Sequence, residues 1–157
     1  MEIELARDFK ELLKLLNKNG VKYLLIGGYA VVLHGYVRNT VDLDIAVSDD
    51  LENARKIVET LDEFGLANET LTTEIFTKKN SLVRMGIEPV KVEILNYLEG
   101  LSFDDAYSRR KRIDVEDITI DVIALEDLIT NKEAVGRLQD LADVEKLRKY
   151  NPPSVNR

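Results

Sequence analysis

Two aspartates one residue apart, Asp42 and Asp44 in "TVDLDIAV", constrain this chain more than any other feature. Val41 to Val47 alternates apolar and polar residues, which is the period of a β-strand. Alternation sends Val41, Leu43, Ile45 and Val47 to a core face and Asp42 and Asp44 to the opposite face. Aspartate is depleted in strands, and two like charges stacked on one face repel. A solvent-facing edge tolerates such a pair. A bound divalent cation removes the repulsion, because hard cations such as Mg²⁺ or Mn²⁺ take carboxylate oxygens. The spacing alone admits both readings.

Gly27 and Gly28 precede that strand in "LLIGGYAVVL". Val21 to Ile26 reads as a buried strand and Tyr29 to His34 as a helix, so the glycines fall at a strand-to-helix turn. Without Cβ atoms the backbone can approach a ligand closely. The free N–H groups of a helix start favour an anion such as a phosphate. A tight turn with no ligand explains a lone Gly-Gly equally well. Together with Asp42 and Asp44, the pair would bring a triphosphate and a metal to one place.

The rest of the chain sets the frame. Phe9, Leu12, Leu13 and Leu16 recur at helical spacing up to Gly20, and Leu51, Ala54, Val58 and Leu61 do so up to Gly65. Strand-like runs cover Thr73 to Thr77, Leu82 to Ile87 and Val90 to Leu95. Phe103 to Arg110 reads as a short helix, and "IDVEDITIDVI" as two strands around a turn. From Leu125 to about Tyr150 the pattern is helical. This order predicts an α+β (α/β-like) fold, a mixed β-sheet flanked by helices with a helical C-terminal segment. Residues 1–150 are expected to form one domain, with 151–157 a loose tail.

Charge and composition narrow the function. A formal net charge of −7 disfavours general nucleic-acid binding, whose affinity rests on phosphate neutralisation. The one dense basic run, Arg109 to Arg112, either closes a helix, where cations suit the dipole, or contacts RNA or an acidic partner. The chain has no cysteine, which removes disulfides and thiolate metal sites and fits a cytoplasmic location. No apolar run is long enough to span a membrane, and the acidic N-terminus lacks a signal-peptide pattern. His34, the single histidine, has no Ser–His–Asp or Cys–His constellation around it and reads as structural.

The stretch "LLIGGYAVVLHGYVRNTVDLDIAV" resembles the signature of the nucleotidyltransferase superfamily that includes DNA polymerase β. Gly27, Gly28, Asp42, Leu43, Asp44 and Ile45 match it in order. The tail "LEDLITNKEAVGRLQDLADVEKL" is similar to the helical end of small prokaryotic members, including AbiEii-type toxin nucleotidyltransferases. The resemblance implies the nucleotidyltransferase fold and metal-dependent transfer of a nucleoside monophosphate from an NTP to an acceptor. RNA, a protein or a small molecule could be that acceptor, and an antitoxin could be a partner. It also implies a third carboxylate on a later strand. Glu93 in "VKVEIL" is the candidate, since Val92 and Ile94 take the core face; related sequences often carry Asp there. Asp42, Asp44 and Glu93 would then be the catalytic residues and hold Mg²⁺ or Mn²⁺. Gly27, Gly28, Arg38 and Lys132 would bind the nucleotide. Arg137 and Asp140, three apart on a helix, read as an intrahelical ion pair. A non-catalytic nucleotide-binding or protein-interaction module that kept the fold is the alternative.

Overall fold

The computed structural model describes residues 5–87 and 90–153. Helix α1 (Arg7–Lys18) buries Phe9, Leu12, Leu13 and Leu16, the spacing of one helical face. Strand β1 (Tyr23–Ile26) is buried at every position and runs directly into α2 (Gly27–Leu33). Strand β2 (Leu43–Val47) follows the polar loop. Helix α3 (Leu51–Phe64) starts at Asp50, whose carboxylate accepts from the Asn53 backbone N–H at 2.8 Å, and stops at Gly65, whose φ of 93° suits a left-handed cap. After α4 (Thr73–Thr77) come β3 (Leu82–Ile87) and β4 (Val90–Leu95). Helix α5 (Phe103–Ser108) leads to the hairpin strands β5 (Lys111–Val115) and β6 (Ile118–Val122). Helices α6 (Leu125–Val135) and α7 (Leu138–Tyr150) complete the order.

The expected mixed sheet is present, with six strands in the order β3-β4-β2-β1-β6-β5. Pairing is antiparallel for β3–β4, β2–β1 and β6–β5, and parallel for β4–β2 and β1–β6. Helix α1 packs on α3 and β6, while α2 lies against β1, β2 and α6. One continuous apolar core joins the two sets, from Phe9 and Leu16 through Leu24, Ile45 and Ile57 to Leu128 and Leu147. Among the described residues, no helix is long and apolar enough to cross a membrane.

Three expectations need correction. Thr73–Thr77 is a helical turn, not a strand. Its two apolar residues, Ile75 and Phe76, are adjacent and cannot share a strand face, and Phe76 alone is fully buried. The metal strand begins at Leu43, and Val41 is 62% exposed rather than in the core. The pairing explains this: Ile26, the last residue of β1, stands opposite Asp44, and the chain then turns into α2. Residues 41 and 42 therefore have no β1 neighbour. Third, the helix after β1 starts at Gly27 rather than Tyr29. The C-terminal helical region is present as expected, as two helices that part where Gly136 takes φ 73°. Of the tail 151–157, Ser154–Arg157 lie outside the described residues. Asn151 is tied down, its amide donating to the carbonyls of His34 at 2.8 Å and Leu147 at 3.0 Å.

Candidate active site

Register builds the site. Parallel pairing of β2 with β4 sets Asp44 beside Glu93, and antiparallel pairing of β3 with β4 sets Arg84 beside Glu93. Directly paired residues share a sheet face, so Arg84, Glu93 and Asp44 form a lateral row. Asp42 lies two residues upstream of Asp44, and all three carboxylates line one cleft of about 410 Å³ with Arg84, Lys91 and Arg137. A second lobe shares Asp44, Glu93, Arg84 and Arg137 and extends past Gly27, Tyr97, Asn131 and Lys132. The carboxylates are not gathered into a preformed cage: among the described residues no three carboxylate or imidazole groups stand in metal-binding geometry. Glu93 instead faces Arg84, whose Nε donates to Glu93 Oε2 at 3.3 Å.

Asp44 carries the electrostatic strain of this arrangement. Burial first, then the charges of Glu93 and Asp42, push its carboxyl up to about 7; Lys132 and Arg137 oppose them. Gly27 is glycine for a reason beyond the turn. Its φ is 67°, and a Cβ there would sit 2.3 Å from Asp44 Oδ2. Gly28 is buried, and a Cβ there would run into Thr40 Oγ1 and come within 3.3 Å of Arg38 Nη2. Gly27→Ala is therefore expected to cost about 2–5 kcal/mol, the sum of a left-handed penalty and overpacking. Urea melts would measure the loss. Asp44→Ala should stabilise Gly27→Ala more than it stabilises the protein with Gly27, because it also removes the clashing carboxyl; an equal effect in both backgrounds would mean that this clash adds nothing to the cost.

The cations are tied to carboxylates within the protein. Lys132 is buried, with Nζ 3.1 Å from Asp140 Oδ1 and 3.0 Å from Asp143 Oδ2. Arg38 grips both oxygens of Asp143, at 2.9 Å each, and its third nitrogen donates to the Asn39 carbonyl. Asp143 is fully buried and Asp140 almost so. Burial pushes both carboxyls up, but the guanidinium and ammonium partners outweigh it and hold both below the usual range. Arg137 does pair with Asp140, Nε to Oδ2 at 2.7 Å. Yet its side chain is 75% exposed and lines both lobes of the cleft. It is thus the outer end of a chain of alternating charge, Arg38–Asp143–Lys132–Asp140–Arg137.

The remaining candidates resolve simply. His34 Nε2 donates to the Ile123 carbonyl at 2.7 Å, since a carbonyl can only accept. Burial holds its pKa below the ordinary value, so the ring is neutral and structural. The basic run is largely neutralised within the protein. Arg109 makes a two-pronged pair with Asp127, and Arg110 and Arg112 both face Asp121. Arg110 also stacks over Tyr107 at 4.0 Å. Sequence reasoning missed Arg84 and the cleft position of Arg137. The first was open to discovery, because the β3–β4 antiparallel pairing brings residues nine apart face to face.

A mixed sheet with acid–apolar–acid at the entry to one strand, a third carboxylate beside it and a Gly-Gly strand-to-helix turn defines a nucleotidyltransferase class of enzyme. The chain belongs to the family described as nucleotidyl transferase of unknown function (DUF2204), whose model matches residues 5–156. The fold is similar to that of the Thermotoga maritima protein TM1012, assigned as a nucleotidyltransferase. The two share a TM-score of 0.56 and 20% identity over 92% of this chain and 90% of that one. It is also similar to lincosamide antibiotic adenylyltransferase LnuA in its lincomycin-bound form. There the TM-score is 0.59 and identity 16% over 94% and 98% of the two chains. No curated protein matches the chain in sequence. These matches carry the superfamily and stop short of the AbiEii-type branch.

Proposed function

We propose that the protein transfers a nucleoside monophosphate from an NTP to a hydroxyl group of an acceptor, releasing pyrophosphate. The observation that carries this reading is the lateral pairing of Asp44 with Glu93, with Asp42 on the same cleft wall. In the step itself the acceptor oxygen bonds to the α-phosphorus. The bond from that phosphorus to the oxygen bridging to the β-phosphate breaks, and pyrophosphate leaves with the electron pair. Glu93, or solvent beside it, receives the hydroxyl proton. Little covalent chemistry is asked of the protein, since positioning and electrostatics carry most phosphoryl-type transfers.

The donor set is of the kind a hard divalent cation takes: three carboxylates line one cleft, and burial together with the charges of Glu93 and Asp42 raises Asp44, a strain that a cation would relieve. Asp42, Asp44 and Glu93 would hold Mg²⁺ or Mn²⁺, which when bound supplies charge stabilisation to the attacking and leaving oxygens. Gly27 and Gly28 are assigned to the β- and γ-phosphates, with Gly27 the one that faces the cleft. Arg137 supplies an exposed guanidinium to the same anion. Lys132 and Arg38 act behind it, holding α7 through Asp140 and Asp143.

The test is a transfer assay with labelled NTPs and Mg²⁺ or Mn²⁺ against RNA, protein and small-molecule fractions of a lysate. Label should appear in one fraction with wild type and fail to appear with Asp44→Asn. A toxin role predicts growth arrest on expression that depends on Asp44 and is relieved by a co-expressed antitoxin. Label transferred equally by both proteins would sink the assignment of the site.

A further inference from the structure

The row Arg84–Glu93–Asp44 contains one contact that the reaction as described does not use. Among the described residues, Glu93 alone of the three cleft carboxylates has an ion pair within 4 Å, and its partner is Arg84. The contact is a single bond of 3.3 Å. Charge-assisted bonds of this kind are usually shorter, about 2.7–2.9 Å. The Arg84 side chain is 76% exposed, against 22% for Glu93. Arg38 and Arg137, by contrast, each hold an aspartate through two nitrogens. Arg84 also lines both lobes of the cleft. A loosely held guanidinium thus sits on the carboxylate that a divalent cation would need, at the junction of the two lobes.

We propose that Arg84 is the resident counter-ion of Glu93, that it competes with the divalent cation for that carboxylate, and that once displaced it turns into the cleft toward the anionic nucleotide. The inference rests on the nucleotidyltransferase reading of the cleft. Its physical basis is exchange of charge. In the absence of a cation, Glu93 stands beside Asp44 and needs a positive neighbour, and the antiparallel register supplies one. Exposed pairs of this kind are weak, and weakness is what an exchangeable partner requires. When the cation takes Glu93, Arg84 loses its partner where the triphosphate brings negative charge. Arg84 is then a positioning residue that sets metal and nucleotide affinity in opposite directions. A plain surface ion pair would do neither.

The experiment measures Mn²⁺ binding by calorimetry without nucleotide, then binding of a non-hydrolysable NTP analogue at saturating Mn²⁺. The proteins are wild type, Arg84→Ala, Arg84→Lys and Asp44→Asn. Arg84→Ala should bind Mn²⁺ roughly two- to fivefold more tightly, the range of a lost cross-strand ion pair. It should bind the analogue roughly ten- to a hundredfold more weakly, as expected for loss of a hydrogen bond to a charged group. Arg84→Lys should stay near wild type in Mn²⁺ affinity, because it keeps the competing charge. Unchanged or weaker Mn²⁺ binding by Arg84→Ala overturns the competition, and unchanged analogue binding overturns the handover to the nucleotide. If wild type binds Mn²⁺, Asp44→Asn does not, and Arg84→Ala matches wild type in both measurements, the Arg84 inference alone fails. If wild type binds no Mn²⁺, the reading of the cleft fails with it.

Discussion

Asp44→Asn is expected to lower nucleotidyl transfer on the order of a thousandfold while leaving the fold standing. The amide keeps the shape of the side chain but loses the charge through which the site would hold a cation, and such a cation accounts for several kcal/mol of transition-state stabilisation. Stability should move the other way. The wild-type carboxyl is pushed up to about 7 by burial and by Glu93 and Asp42. A group with a raised folded-state pKa favours the native state below its unfolded pKa and loses that contribution as pH rises through the folded value. Melts in EDTA should therefore show wild type losing stability between about pH 4 and pH 7. Asp44→Asn should lack that slope, because it has nothing there to titrate. The gap in favour of the variant should open with pH and level off above about pH 7, at on the order of 4 kcal/mol as an upper limit. Adding Mg²⁺ should stabilise wild type and leave the variant where it was. A variant that melts below wild type at pH 8 in EDTA would show that Asp44 is not the crowded charge described here.

What could be read from the chain follows from how local each feature is. The face of the sheet that carries Asp44 and Glu93 was legible, because alternation within a strand needs only its own residues. Their lateral contact was not, because β2 and β4 pair in parallel across two intervening helices and strand β3, and nothing local sets that register. The strand start was misjudged at Val41 for a similar reason. Its limit is set by β1 turning away at Gly27, which belongs to a different part of the chain. Lys132 is the sharpest case. In an unbroken helix Asp140 would lie about 12 Å along the axis from Lys132, out of reach. The break at Gly136 folds α7 back, and Lys132, at the wall of the second lobe, meets Asp140 and Asp143. Gly136 was visible in the tail motif, but only its left-handed angle turns that glycine into a statement about which charges are buried.

Asp143→Ala should cost about 3–5 kcal/mol of stability, the cost of breaking a buried ion pair from one side. Asp143 has no exposed surface and accepts from Arg38 through both oxygens, from Lys132 at 3.0 Å and from Gln139 at 2.9 Å. Removing it leaves the Arg38 guanidinium without its carboxylate and Lys132 with Asp140 alone. For a chain of this size the loss corresponds to a fall in Tm of roughly 10 °C. Asp143→Asn should fall between, since it keeps the shape and one acceptor. The acid limb gives an independent check. Despite burial, Arg38 and Lys132 hold the Asp143 carboxyl below its usual range, and Arg137 and Lys132 do the same for Asp140. A lowered folded-state pKa contributes stability above the unfolded value, lost as pH falls through the folded one. Wild type should therefore lose stability below about pH 4, and Asp143→Ala should lose less over that range because one of the two carboxyls is gone. Activity should fall along with stability, since Lys132 and Asp140 are the next links toward Arg137 at the cleft. A variant within 1 kcal/mol of wild type, with an unchanged acid limb, would mean that solvent already screens this network and that α7 is held by Val144 and Leu147 in the core instead.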